Sequence, residues 1–120
     1  MSSSTLLSPD AAAVVSLTGA APAEAASVVS HTLLKTPELR VISFRFAAGQ
    51  ELTAHTNRRR ALVQVIEGAG EFFFNGTWQT LATGALLHLP PNHPHAVRAT
   101  EPFAMLLTLG AEPAGPSFQP

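Results

Sequence analysis

Residues 61–78 read ALVQVIEGAGEFFFNGTW. Two runs rich in β-branched and aromatic residues, Leu62 to Ile66 and Glu71 to Phe74, flank Gly68-Ala69-Gly70, which reads as a turn between strands. Asn75-Gly76 follows directly. Both residue types accept positive φ, as the tight turn whose twist matches two antiparallel strands requires, so this dipeptide is the strongest hairpin signal in the chain. Pairing resumes from Trp78 to Leu81. In a strand the three rings of Phe72-Phe73-Phe74 must divide between two faces, one set inward and one toward a sheet or subunit contact.

The same reading extends in both directions. Toward the N-terminus, Arg40-Val41-Ile42-Ser43-Phe44-Arg45-Phe46 is a strand, preceded by a Pro37-Glu38 turn and an apolar segment from Val28-Val29 to Leu33-Leu34. Toward the C-terminus, Thr83-Gly84 turns and Leu86 to Leu89 ends at Pro90-Pro91. Ala96-Val97-Arg98 then leads through Glu101-Pro102 into Phe103 to Leu109. Short strands with turn signals every 8–12 residues specify an all-β sandwich or barrel. Residues 1–26, rich in Ser, Ala and Pro, read as an N-terminal arm that is weakly structured or holds one short strand at Val14-Val15-Ser16-Leu17. Residues 27–110 form the barrel, and 111–120 are a C-terminal tail. No internal repeat stands out.

Composition narrows the function. With 120 residues the chain has room for one domain. Hydrophobic residues make up 46% and charged residues 12%, about half the ~25% charge usual in soluble domains. Such a chain can bury a core, and it has too few charges to coat its surface, which favours a homodimer. A formal charge of −1 gives no electrostatic footprint for nucleic acid. No apolar run reaches the length of a membrane span. No Lys or Arg precedes Lys35, so the basic start of a signal peptide is missing and the expectation is a cytoplasmic protein. The chain has no Cys, which removes thiolate metal sites, disulfides and a cysteine nucleophile, and no Tyr, which removes phenolic catalysis.

Two spacings resemble those of the cupins. The first cupin motif runs Gly, five residues, His-x-His, three or four residues, Glu, six residues, Gly. Gly49, His55, Asn57, Ala61 and Gly68 fall on those positions. The second runs Gly, five residues, Pro-x-Gly, two residues, His, three residues, Asn, and Gly84, Pro90, Asn92, His95 and Ala99 match it in spacing. The resemblance covers roughly residues 28–110 and implies a small single-domain RmlC-like cupin of the cupin_2 type. Its fold would be a double-stranded β-helix, or jelly-roll barrel, of antiparallel strands. Gly68 and Gly84 then lie at tight turns, and Pro90 ends a strand because it cannot donate to the sheet ladder.

The departures bear on chemistry. Metal-binding cupins use the two His and the Glu of the first motif with the His of the second. Only His55 and His95 stand at those four positions. Asn57 offers a neutral amide oxygen, a poor transition-metal ligand, and Ala61 offers nothing. Three protein ligands are the norm for a catalytic metal, so no cofactor is firmly expected. A divalent transition metal requires a recruit, and His93, two residues from His95, is the nearest. Gln64 is out of phase with Ala61 along the strand, and Val63, in phase, is apolar.

The resemblance places His55 and His95 in the barrel interior, where each is a candidate acid–base group or a hydrogen-bonded core histidine. His88 and His93 read as structural or solvent-facing. Glu51, Glu67 and Glu71 read as solvated, and Trp78, Phe103 and Met105 as core. Arg58-Arg59-Arg60 is a basic loop near the barrel opening. It is either solvated, or it turns one arginine, Arg58 or Arg60, inward to grip a carboxylate or phosphate.

The favoured function is a barrel binding a small organic ligand, acidic ones included, through His55, Asn57 and His95 with an arginine from 58–60, and without a firmly held metal. One alternative is a cupin enzyme, a metal-dependent dioxygenase or an isomerase or epimerase, using His55 or His95. The other is a barrel that has lost its chemistry and serves as an interaction module. The fold cannot select among them, because function lives in the site.

Overall fold

In a computed structural model, described over residues 5–19 and 23–113 without the side chains of Ala54 and His55, nine strands make two antiparallel sheets. They are β1 (Val28–Lys35), β2 (Arg40–Phe46), β3 (Glu51–His55), β4 (Ala61–Glu67), β5 (Ala69–Phe74), β6 (Thr77–Ala82), β7 (Leu86–Leu89), β8 (His95–Arg98) and β9 (Phe103–Leu109). The larger sheet has the order β1-β2-β9-β4-β7 and the smaller β3-β8-β5-β6. The sheets face each other across one core, the all-β sandwich or barrel that the turn spacing predicts and the jelly roll that the resemblance implies.

Alternation explains the packing. Along β4, Ala61, Val63 and Val65 are buried while Leu62 and Gln64 are exposed. Three rows cross the larger sheet with one face inward: Arg40–Leu109–Ala61–Leu89, then Ile42–Leu107–Val63–Leu87, then Phe44–Met105–Val65. From the smaller sheet, Phe72 pairs with Val97, which pairs with Leu52. Apart from Arg40, which is only partly buried, these inward residues belong to, or pack on, the core cluster. Phe46 and Phe72 are its most completely buried large side chains, each contributing about 1.5–3 kcal/mol by leaving water.

The turns follow their chemistry. Phe74 pairs with Thr77 across Asn75 and Gly76, at φ 53° and 84°, the two positive values of the expected hairpin turn. Asn92, where the family pattern has Gly, also adopts positive φ (64°), a conformation Asn tolerates better than most residues. Gly70 does not belong to a turn. It lies within β5, and a Cβ there would run into the ring of Phe103. That ring stacks on Phe46 at 4.7 Å and meets Phe72 edge-on at 5.9 Å.

The N-terminal arm departs from expectation at one point. Val14–Leu17 forms no strand. The arm is tied to the barrel individually: Leu7 N–H donates to the Leu33 carbonyl (2.8 Å), Arg45 to the Leu17 carbonyl (3.3 Å), and Gly19 N–H to Glu67 Oε2 (3.0 Å). Val14 is almost fully exposed, so that stretch has no apolar surface to pair against. Glu67 also forms a 2.5 Å ion pair with Arg45. The Gly19 N–H first, and the Arg45 guanidinium second, hold its carboxyl below the ordinary value of 4.5.

Candidate functional site

Between the sheets, at the level of the Ile42–Leu87 row, lies a cavity of about 80 Å³. Its walls are apolar, with Phe44, Phe72, Leu87 and Met105 among them, and His95 is the one polar side chain that lines it among the described residues. His95 opens β8, directly after the loop that leaves Leu89, and its backbone pairs with His55 of β3. Its Nδ1–H donates to the His93 carbonyl at 2.8 Å. A carbonyl can only accept, so this bond fixes the tautomer and leaves the lone pair of the neutral ring on Nε2.

Asn57 lies outside the cavity lining. Its Oδ1 accepts the N–H of Arg59 (2.8 Å) and its carbonyl accepts the N–H of Asn92 (2.6 Å). The side chain closes an Asx turn, and the backbone carbonyl ties the β3–β4 loop to the β7–β8 loop. The His93 Nε2–H donates to Asn75 Oδ1 at 3.0 Å, which points that ring toward the β5–β6 hairpin.

The arginine run also faces away from the cavity. Arg58 and Arg59 engage Glu112, at 3.9 and 3.2 Å, and Arg60 donates to His88 Nε2 at 2.9 Å. His88 and its pairing partner Leu62 point outward from the larger sheet. Glu67 and Glu71, read as solvated, carry ion pairs instead, Glu71 with Arg98 at 2.6 Å, and only Glu51 is simply exposed. Trp78 is not core. It lies outward on β6, 38% exposed, against Phe73 and beneath the Arg98 guanidinium, 3.9 Å from its ring centroid. Phe103 and Met105 are core as expected.

From these placements a histidine-rich metal shell does not assemble among the described residues. Among the described residues no group of three or more His, Asp or Glu side chains could hold an ion. Ala61 has no donor, the Asn57 oxygen is engaged by Arg59, and His93 is bonded to Asn75. The described donors therefore do not fit the family's divalent cation, and His55's side chain lies outside the description.

One partly buried group escaped the sequence reading. Arg40 opens β2 in phase with Ile42, Phe44 and Phe46, so it belongs to the inward row with Leu109, Ala61 and Leu89. Its Nε is buried with no hydrogen-bond partner. A buried donor left in that state costs about 1–3 kcal/mol. Strand parity alone carried the signal: in Arg40–Phe46 every second residue from the arginine is a large apolar one.

An antiparallel jelly-roll barrel with a small apolar cavity and one histidine at its wall is the architecture of a small single-domain cupin. The Cupin_2 cupin-domain model matches residues 42–109, and the chain belongs to that family. Among solved structures, the chain is similar to the conserved protein SPY1581 of unknown function from Streptococcus pyogenes. They are 29% identical, with 92% of this chain and 97% of that one covered and a TM-score of 0.77. It is also similar to a cupin 2 conserved barrel domain protein from Leptotrichia buccalis (34% identity, 75% of this chain and 44% of that one, TM-score 0.70). A third likeness is to an RmlC-like cupin protein from Desulfovibrio desulfuricans (32% identity, 69% and 81%, TM-score 0.64). No curated protein matches the sequence.

Proposed function

We propose that this cupin binds a small organic ligand in its barrel, with the apolar part in the cavity and a polar group at His95, and without a firmly held metal. The supporting observation is the cavity itself: apolar walls with a single, tautomer-fixed imidazole among them, the composition of a site that encloses a small molecule and orients it by one polar contact. The His95 imidazole is a group that both donates and accepts hydrogen bonds, so it suits a ligand's hydroxyl, amide or carboxylate. His55 shares the reading through its pairing with His95. The arginine run does not supply the charge partner, since each of its members is engaged outside the cavity.

A cavity of about 80 Å³ is roughly half the ~150 Å³ that holds a benzene molecule, so the ligand's buried part is a short chain of a few carbons. Thermal-shift titration of short-chain acids, alcohols and amides tests the reading. Binding stabilises by mass action, and His95→Ala should abolish the shift. A flat response to the whole series contradicts it. The reading includes a homodimer, supported by the exposed Leu62 and Leu86 on the outer face of the larger sheet, which light scattering in solution tests.

A further inference from the structure

We infer that Arg40 makes this barrel selective for anions, so that its ligand is a short-chain monocarboxylate whose carboxylate is shared between His95 and the Arg40 guanidinium while its alkyl tail enters the cavity. The inference rests on the proposed barrel ligand and adds its chemical class.

Position comes first. The Arg40 row is the terminal inward row of the larger sheet, one step along the strands from the row of Ile42, Leu107, Val63 and Leu87 that borders the cavity. Leu89, in the Arg40 row, also lines the cavity and leads through residues 90–94 into His95. The guanidinium and the imidazole thus belong to the same end of the barrel.

Chemistry comes second. The side chains sharing Arg40's row are Leu109, Ala61 and Leu89, and none can accept a hydrogen bond. Glu38, near the start of β2, and Glu101, before β9, are exposed, while Glu67 is engaged with Arg45 and Glu112 with Arg58 and Arg59. The buried Nε–H therefore stays unsatisfied. A folded chain retains such a group when something else accepts from it. A carboxylate suits it best, since its two oxygens match the guanidinium fork.

Size comes third. The cavity has room for a few carbons and no more, and its walls offer no second cation, which favours one charge on a short tail.

Calorimetric titration of the full chain with butyrate and with its neutral isostere butyramide tests this at neutral pH. Wild type should bind butyrate at least ten-fold more tightly than butyramide. Arg40→Gln should bring the ratio to about one while butyramide affinity holds, and Arg40→Lys should keep part of the preference. Arg40→Met removes the orphaned donor, so it should raise the melting temperature without ligand and lose the stabilisation by butyrate. That variant keeps the test sound if Arg40→Gln fails to fold. A wild-type ratio near one, or an unchanged ratio in both Arg40→Gln and Arg40→Met, overturns the role of Arg40 while the barrel-ligand reading stands. Binding of neither probe by wild type overturns both.

Discussion

Gly70 gives the sharpest test of the packing. Its φ is not positive, so alanine meets no backbone strain there, and in an open strand the exchange would stabilise by about 0.5–1 kcal/mol. The barrel reverses the sign. The new Cβ would lie 2.6 and 2.7 Å from Phe103 Cε2 and Cε1 and closer still to Cζ. Phe103 cannot yield, being 4% exposed and held between the rings of Phe46 and Phe72. Overpacking of this kind costs about 1–3 kcal/mol, and a ring stacked on one neighbour and met edge-on by another argues for about 2 kcal/mol. That corresponds to a fall in melting temperature of roughly 5–10 °C for a domain of this size. Urea denaturation of Gly70→Ala measures it. In a Phe103→Leu background the added methyl has space, and its cost should drop below about 0.5 kcal/mol. A neutral or stabilising Gly70→Ala, or an equal cost in both backgrounds, refutes the reasoning.

Three further outcomes follow from other parts of the molecule. Glu67 has a folded-state pKa below its ordinary value of 4.5, so its contacts stabilise the arm fully above that value and are lost as pH falls through the lowered one. Protection of the Gly19 amide against hydrogen exchange, taken relative to the intrinsic rate at each pH, should fall in acid for wild type, and Glu67→Gln should already lack it at pH 7; a pH-independent wild-type protection factor counts against the Glu67 contacts. Trp78 is the only tryptophan and tyrosine is absent, so fluorescence reports its surroundings cleanly. Arg98→Gln should shift its emission to the red and cost about 0.5–1 kcal/mol, because the cation lies on an exposed ring; an unmoved spectrum contradicts the stacking. Finally, the described donors do not complete a metal shell, so treatment with a chelator and addition of Zn or Mn should leave the melting temperature within about 1 °C. A stabilisation that His95→Ala removes would show that a shell forms.

What was legible in the sequence was local or periodic. Asn75-Gly76 specifies its hairpin because both residues accept positive φ, and the strand from Arg40 to Phe46 matches the expected bounds because its composition alone favours extension. The family spacing placed His95, which lines the cavity. What was hidden depends on partners distant in the chain. Gly70 reads as part of a turn until Phe103 is packed against it. Trp78 reads as core until the register of β5 and β6 turns it outward beside Phe73. The arginine run shows its charge, but not that Glu112 and His88 wait for it. Glu51–His55 carries no β-branched run, and β3 exists through its pairing with β8. Arg40 lay between these cases: its parity was visible, but parity acquires a direction only once Leu109 and Ala61 are known to face inward.

The chain has two methionines, Met1 and Met105, and Met105 lines the cavity. A methyl-labelled sample therefore gives two signals, and Met105→Leu assigns the informative one. Titrating the full chain with short-chain carboxylates while following that methyl tests whether the barrel interior receives a ligand. The account predicts a saturable shift of the Met105 signal that His95→Ala weakens or abolishes. A Met105 methyl that stays in place up to millimolar concentrations of every acid in the series would contradict it.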